Sequence, residues 1–374
     1  MAAISEPESP ALIVAPVGMA GQPPQASARG GFLEGIDQFD PLFFRLSPLE
    51  ASQMDPRQRL FLETAYAALE HAGYGGEKLR ATRTGVFVGT AGQDYLAGAG
   101  AAGIGPHWAT GSSAAILASR LSYFLDLTGP TLPVDTACSA SLVATHLAVE
   151  SLARGECDYA LAGGAQLNLW LKSFAAFAQM GALAPGGRCR PFDQRADGFI
   201  PAEGVAALLL RPLAAALAAG DTIHAVILGS AVNNDGRTNG LTAPNPAAQR
   251  AALCDAWRDA GVAPDSLDYL EAHGTGTALG DPIEVEGFAS ACALFTARKQ
   301  FCQLGSVKSN LGHAESAAGL VGLVKTLLAL EQEQLPPTLH LQDPNRHIAW
   351  EETPLAINDR LRPWPRRAER PRRA

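Results

Sequence analysis

The sequence predicts an α/β protein whose sheets are covered by helices on both faces. Short apolar runs alternate with longer Ala- and Leu-rich helical stretches along the chain, the order expected when strands lie between helices. Runs such as Val86-Phe87-Val88, Ala160-Leu161-Ala162 and Val205 to Leu210 are apolar throughout rather than alternating, as in strands buried on both faces. The 38 glycines and abundant alanines allow helices to approach sheets closely. At 374 residues, 47% hydrophobic and 18% charged, the chain can bury a large core in two or three domains.

Taken in order, Ala11-Leu12-Ile13-Val14 is a first strand, and the Gly/Pro/Ala-rich stretch from Gly21 to Gly31 is a loop. Phe32 to Leu49, aromatic and acidic, reads as a surface segment docked on the core. Asp55-Pro56 opens an amphipathic helix over Leu60 to His71, with Leu60, Ala65 and Leu69 inward and Gly73 as its stop. Thr84 to Thr90 is a buried strand. A glycine-rich loop (94–106) and a helix from about Ser113 to Leu125 follow. Pro130 to Val134 then leads as a strand into the turn Asp135-Thr136-Ala137-Cys138-Ser139 and a helix to about Arg154. Asp158 to Gly164 is a strand, Arg190 to Gly204 a long loop, and Val205 to Leu210 a strand. From Ile223 to Ser230 the alternation restarts as a strand. A helix (247–260), a strand (Leu267 to Ala272), a helix (282–296), a strand (Gln303 to Ser306) and a helix (Ala317 to Glu331) complete it. The element order therefore divides the chain into two similar halves, residues 1–215 and 216–374.

The formal net charge of −8 gives no electrostatic reason to expect nucleic acid or an anionic membrane as partner. The basic, proline-broken tail Arg366 to Arg373 reads as a solvated end. The six cysteines form no Cys-x-x-Cys pair, so neither a disulfide framework nor a metal site is expected, and a reducing cytoplasm is the natural compartment. No charged-then-apolar signal pattern opens the sequence, and no apolar run reaches the roughly 18 residues of a membrane span.

Three stretches share one character: a strand gives way to a loop of small residues that carries a reactive side chain, and a helix follows. Cys138 sits in the first. At such a junction the partial positive charge of the helix N-terminus favours thiolate, and small neighbours admit a substrate carbonyl to the sulfur. The layout is that of a nucleophile elbow with sulfur in place of the hydroxyl; the competing reading is a small buried cysteine. The second stretch, Glu271-Ala272-His273-Gly274-Thr275-Gly276-Thr277, puts a histidine at the carboxyl tip of a strand, where α/β sheets carry their sites. Its threonine hydroxyls and loop N–H groups suit an amide-rich ligand, although His273 alone would equally be a satisfied loop histidine. The third is Lys308-Ser309-Asn310-Leu311-Gly312-His313. If Lys308 points inward it can tune the protonation of His313 or hold a carboxylate; otherwise it is a surface lysine beside a capping histidine.

One cysteine and two histidines narrow the chemistry. A cysteine hydrolase needs a single His with an orienting Asn or Asp. Carbon–carbon bond formation on a thioester uses two donors, because a carbonyl oxygen bearing negative charge must be stabilised while a carbanion forms. Two histidines fit the second need better.

These three motifs, in this order, resemble the active-site motifs of the ketosynthase (β-ketoacyl synthase) domains of modular type I polyketide synthases. The similarity runs from about Gly31 to Pro365 and includes Met54-Asp55-Pro56-Arg57-Gln58-Arg59-Leu60, Gly85-Val86-Phe87-Val88-Gly89 and Val232-Asn233-Asn234-Asp235-Gly236. Ile116 to Tyr123 and Gly240 to Asn245 are most similar to ketosynthases whose acyltransferase acts in trans. The resemblance implies a thiolase-like fold, five layers of α-β-α-β-α built from two similar halves in a homodimer, with Cys138 in the first half and both histidines in the second. It implies decarboxylative Claisen condensation in polyketide biosynthesis. Cys138 would take the acyl chain from the phosphopantetheine of an acyl carrier protein. His273 and His313 would bind the malonyl thioester carbonyl, promote loss of CO₂ and stabilise the enolate. Lys308 would order His313 and its surroundings, with Asp281 or Glu284, and Thr275 and Thr277 would hydrogen-bond the pantetheine arm. No metal or other cofactor is implied.

Two departures from the family pattern stand out. Its members continue, after the equivalent of Arg362-Pro363-Trp364-Pro365, with a strand and a glycine- and Phe-containing loop that supplies an oxyanion donor, whereas this sequence stops at Ala374. The stretch between Val14 and Gly31 is also shorter than the family's. A second reading is therefore a truncated, non-catalytic domain that dimerises or docks carrier proteins; a third, an unrelated Cys-His hydrolase, leaves His313 and Lys308 without a role.

Overall fold

The computed structural model describes residues 10–14, 29–92, 95 and 104–374, so the loops expected over 21–31 and 94–106 fall largely outside the described residues. Thr84–Thr90 (β2) pairs in parallel with Thr131–Val134 (β3) and with Tyr159–Gln166 (β4). Gly204–Pro212 (β5) runs antiparallel to β4, Pro10–Val14 (β1) antiparallel to β5, and Ala225–Val226 (β6) antiparallel to β1. The order of this six-stranded sheet is β3-β2-β4-β5-β1-β6.

The apolar runs divide by parity, since successive strand residues face opposite sides. Val86, Val88, Leu161, Ala165, Val205, Ala207 and Leu209 enter one core with helices Pro56–His71 (α1) and Ala114–Leu125 (α2). Phe87, Ala160, Ala162, Ala206, Leu208 and Leu210 enter a second core with helices Ala140–Ala153 (α3) and Ala318–Gln332. Helix α1 starts as its sequence directs: the Asp55 carboxylate accepts the Arg57 N–H at 2.8 Å, with Pro56 in the first turn. The aromatic segment docks as expected, with Phe39 stacked on Phe44 and Phe44 against Phe124.

The later elements build a second, smaller sheet. Tyr269–Glu271 (β7), Cys302–Gly305 (β8) and Leu355–Ile357 run parallel, with β8 in the middle. Helices Pro246–Ala260 and Gly280–Cys292 cover it through Cys254, Trp257, Val285 and Phe288. Helix 318–332 lies between the two sheets. One face packs on β5 and α3; the other meets β7, where Lys325 binds the Glu271 carboxylate at 2.7 Å and the Tyr269 hydroxyl at 2.8 Å. The layers thus run α-β-α-β-α in a thiolase-like fold.

Several elements differ from expectation. Only Ala225–Val226 of the strand expected at 223–230 pairs, and it extends the first sheet rather than opening the second. Among the described residues the two main sheets are therefore unequal, six strands against three. Helices Leu171–Gln179 and Leu213–Ala219 are additions to the expected order. The basic tail is anchored rather than solvated. Asp268 binds Arg370 at 2.7 Å and Arg367 at 2.8 Å and accepts the Trp364 indole N–H, while Arg372 pairs with Glu333. Among the described residues, no helix is long and apolar enough to cross a membrane.

Candidate active site

Strand β3 ends at Val134, and the chain turns through Ala137, at φ +53°, into a 3₁₀ turn, Ala137–Ser139, before α3 begins. A positive φ at a residue with a side chain is strained, as in nucleophile elbows. The Asp135 carboxylate accepts the Ala137 N–H at 3.2 Å, and the Ser139 hydroxyl donates to the Thr136 carbonyl at 2.9 Å, fixing the turn. The close approach of α3 to the sheet requires Gly89, because a Cβ there would collide with the backbone nitrogen of Ser141. Cys138 is half-buried with a free thiol. Burial and the Glu315 carboxylate push its pKa up, while Lys308 works in the opposite direction. Thiolate is therefore less favoured in the free protein than the helix N-terminus alone would suggest.

His273 follows β7 directly and is exposed, whereas His313 is buried at 1% exposure. The two rings meet edge to face, with centroids 5.3 Å apart and planes at 84°. Burial, Lys308 and the neighbouring ring push His313 well below the ordinary histidine range; His273, exposed as a residue but with its ring packed against that of His313, is pushed down as well by the desolvation there and by Lys308. Both imidazoles are therefore neutral at neutral pH. The Glu315 N–H donates to His313 Nδ1 at 3.1 Å, which in a neutral ring puts the proton on Nε2. The His313 backbone is pinned on both sides: its N–H donates to the Ile200 carbonyl at 2.8 Å, and its carbonyl accepts from the Ala202 N–H at 2.9 Å. Phe199 packs edge-on against the ring at 5.0 Å.

Lys308 points inward and is 3% exposed. Its ammonium donates to the His273 carbonyl at 2.5 Å. Burial pushes its pKa down, and Glu284 and Glu271 oppose that. Its hydrogen bond is to the backbone of His273, whose ring adjoins His313, and it acts on His313 electrostatically. Glu284 grips the same loop, accepting the His273 N–H at 2.6 Å and the Gly274 N–H at 2.8 Å. Asp281 accepts the Gly276 N–H at 3.1 Å and the Phe192 N–H at 2.7 Å. Thr277 Oγ1 accepts the Gly280 N–H at 3.2 Å and lies 3.4 Å from the Thr275 hydroxyl, both side chains being half-buried.

The structure thus gathers His273, His313 and Lys308 at one locus, with Cys138 near enough for Lys308 to act on its thiol. Sequence reasoning missed Glu315, Phe192 and Phe199. The latter two lie in the stretch 190–204, read only as a loop; no spacing rule marks a side chain whose partners are more than 80 residues away.

The family model described as Beta-ketoacyl synthase, N-terminal domain, matches residues 19–216, and that described as Beta-ketoacyl synthase, C-terminal domain, matches residues 224–342. The chain is 49% identical over 339 residues to polyketide synthase ThaG of Burkholderia thailandensis, covering 90% of this chain and 6% of that protein. It is 45% identical over 344 residues to polyketide synthase PksL of Bacillus subtilis, covering 92% of this chain and 8% of that protein. The chain therefore spans a small part of these relatives. Its structure superposes on the ketosynthase from module 6 of the bacillaene synthase of Bacillus subtilis with a TM-score of 0.91 and 40% identity, covering 98% of this chain and 68% of that one. On these matches, and with the three motifs gathered at one site, the chain belongs to the β-ketoacyl synthase family.

Proposed function

We propose that this chain catalyses decarboxylative Claisen condensation in polyketide biosynthesis, joining a Cys138-bound acyl group to a malonyl-type unit on acyl carrier protein. The observation that carries the reading is a pair of imidazoles in edge-to-face contact, one taking a backbone N–H at Nδ1 and so carrying its proton on Nε2, with a half-buried cysteine at a strained turn. A hydrolase would have no use for the second histidine.

In the first half-reaction the Cys138 thiolate attacks the acyl thioester carbonyl. The new C–S bond forms at Cys138, the old one breaks, and the pantetheine thiolate leaves and takes a proton. In the second, the malonyl thioester carbonyl lies within reach of His273 and His313. The bond to the carboxylate breaks, CO₂ leaves, and the electron pair remains as an enolate whose oxygen accepts the His313 Nε2–H. The enolate carbon attacks the acyl-Cys138 carbonyl and the Cys138 thiolate departs, leaving a β-ketoacyl thioester on the carrier. Fixed neutral donors suit an oxygen that gains charge only during reaction. Lys308 and Glu284 hold the His273 loop, and Thr275 and Thr277 hydrogen-bond the pantetheine arm, for which the Thr277 hydroxyl proton remains available to donate. Residues 1–215 form the half that carries the nucleophile and 216–374 the half that carries the histidines, in a cytoplasmic homodimer.

The test is intact-protein mass after incubation with a short acyl-pantetheine thioester, followed by malonyl-pantetheine. One acyl adduct is expected, absent in Cys138→Ala. His313→Ala should load but lose decarboxylation by about 10²–10³-fold, the scale of one oxyanion donor. A folded protein that takes no adduct overturns the reading and favours a non-catalytic dimerising or carrier-docking domain.

A further inference from the structure

We propose that Phe192 is the positioning residue that sets the height and tilt of the His273 loop; this rests on the condensing-enzyme reading above. Phe192 is fully buried and holds φ +64°, a conformation that a non-glycine residue keeps only where its surroundings over-determine it. Its carbonyl accepts the Asn345 N–H at 2.8 Å, and its N–H donates to Asp281 at 2.7 Å. Both backbone groups are thereby fixed, and the side chain is aimed from beneath at the loop. There its ring edge reaches Gly274: a Cβ built on that glycine would stand 3.2 Å from Phe192 Cζ. The other side of the ring rests edge-on against Trp350, with centroids 6.3 Å apart.

The same residue also acts on the loop through Asp281, whose second oxygen accepts the Gly276 N–H at 3.1 Å. Phe192 thus meets the glycines on either side of Thr275, one by packing and one through a carboxylate. Glu284, Lys308 and Ser306, whose hydroxyl donates to the Gly274 carbonyl at 3.0 Å, hold the loop through its polar groups; the Phe192 ring supplies the apolar contact at Gly274, beside the still nearer Ser306 side chain. The anchorage continues outward through Asp193, which accepts the N–H groups of Gln342 and Asp343 at 2.6 and 3.1 Å, tying the strap to 342–345. Cys138 lies on a separate element, so a shift of this loop should act on decarboxylation more than on acyl loading.

The experiment measures acyl loading, malonyl decarboxylation and hydrogen exchange of the peptide spanning 272–278 in Phe192→Leu. Misplacement of a catalytic group by about 1 Å costs on the order of 100-fold, so the ratio of decarboxylation to loading should fall about 10–100-fold. Exchange of the loop peptide should rise while that of helix 280–292 does not. Phe192→Met, which keeps the bulk and removes the ring edge, serves if the leucine variant fails to fold. A parallel fall of both half-reactions in folded protein, as a merely structural role would give, overturns the proposal. So does an unchanged ratio, or unchanged loop exchange. Should the unmodified protein neither load nor decarboxylate, the condensing-enzyme reading fails, and loop exchange alone then decides the positioning.

Discussion

Replacing Lys308 with methionine keeps an unbranched stem and removes an ammonium that acts on every reactive group in the site. The His273 carbonyl loses a charge-assisted donor inside the protein, a change worth about 1.5–3 kcal/mol of stability. The electrostatic consequences have definite signs. Lys308 works against the rise of the Cys138 pKa, so without it the thiol moves further up; it helps depress both imidazoles, so they move back toward the ordinary histidine range. Below its pKa a thiol loses tenfold in thiolate for each unit gained, so acyl loading should fall, and by more at pH 7 than at pH 9. The assay is the pH dependence of iodoacetamide alkylation of Cys138, followed by mass, beside loading rates at pH 7 and 9. The alkylation curve should move to higher pH. A folded Lys308→Met protein whose curve and pH 7 loading both match the parent would refute the electrostatic account of the site.

The unmodified protein should load acyl groups faster as pH rises, about tenfold per unit from pH 7 to 8.5, because burial holds the thiol above its ordinary range; a plateau below pH 8 would contradict this. Although burial opposes its charge, hydrogen bonds from Arg195, Gln342 and Asp343 hold the Asp193 carboxyl below the usual carboxylate range. An acid whose pKa is depressed by folding stabilises above its unfolded pKa and loses that contribution as pH falls through the folded value. Asp193→Asn should therefore lower urea stability by about 2–3 kcal/mol at pH 7, with the difference narrowing below pH 4, since Arg195 is itself half exposed. Equal destabilisation at pH 7 and 3 would show that packing, not charge, is what Asp193 supplies. Gly312→Ala should reduce the folded fraction and decarboxylation together, because φ is +90° there and the new Cβ would lie 2.8 Å from the Ile200 carbonyl oxygen; full activity would show that the 200–202 segment can yield.

What is legible in the sequence follows from the range of the interactions involved. The turn at Cys138 and the loop at His273 are readable because strand, small residues and helix succeed one another within a dozen positions. Helix α1 is readable because Asp55 caps it locally. The 223–230 strand misleads because an apolar run states only that it is buried. Pairing of Ala225–Val226 with β1, more than 200 residues earlier, is decided by which edge is open, and no periodicity carries that information. The tail misleads for the related reason that arginines look solvated until a buried acceptor such as Asp268 is placed among them.

The same division explains why the site's chemistry is legible and its mechanics are not. A motif names side chains that react, and those cluster in sequence because strand ends present them. What makes them react in a defined way comes from far along the chain. Lys308 lies 35 residues from the carbonyl it binds, and Phe192 lies 89 from the Asp281 that fixes its N–H. Ile200, more than a hundred residues before His313, receives its backbone N–H. A local determinant, the Glu315 N–H on His313 Nδ1, is a backbone group and leaves no trace in residue type. It nevertheless decides that His313 is a donor at Nε2 and not a base there. Substitutions at Glu315 that keep the turn should therefore keep the tautomer: Glu315→Gly, which accepts the φ of +39° found there and retains the N–H, should still decarboxylate, and its failure in folded protein would show that the carboxylate rather than the N–H sets His313.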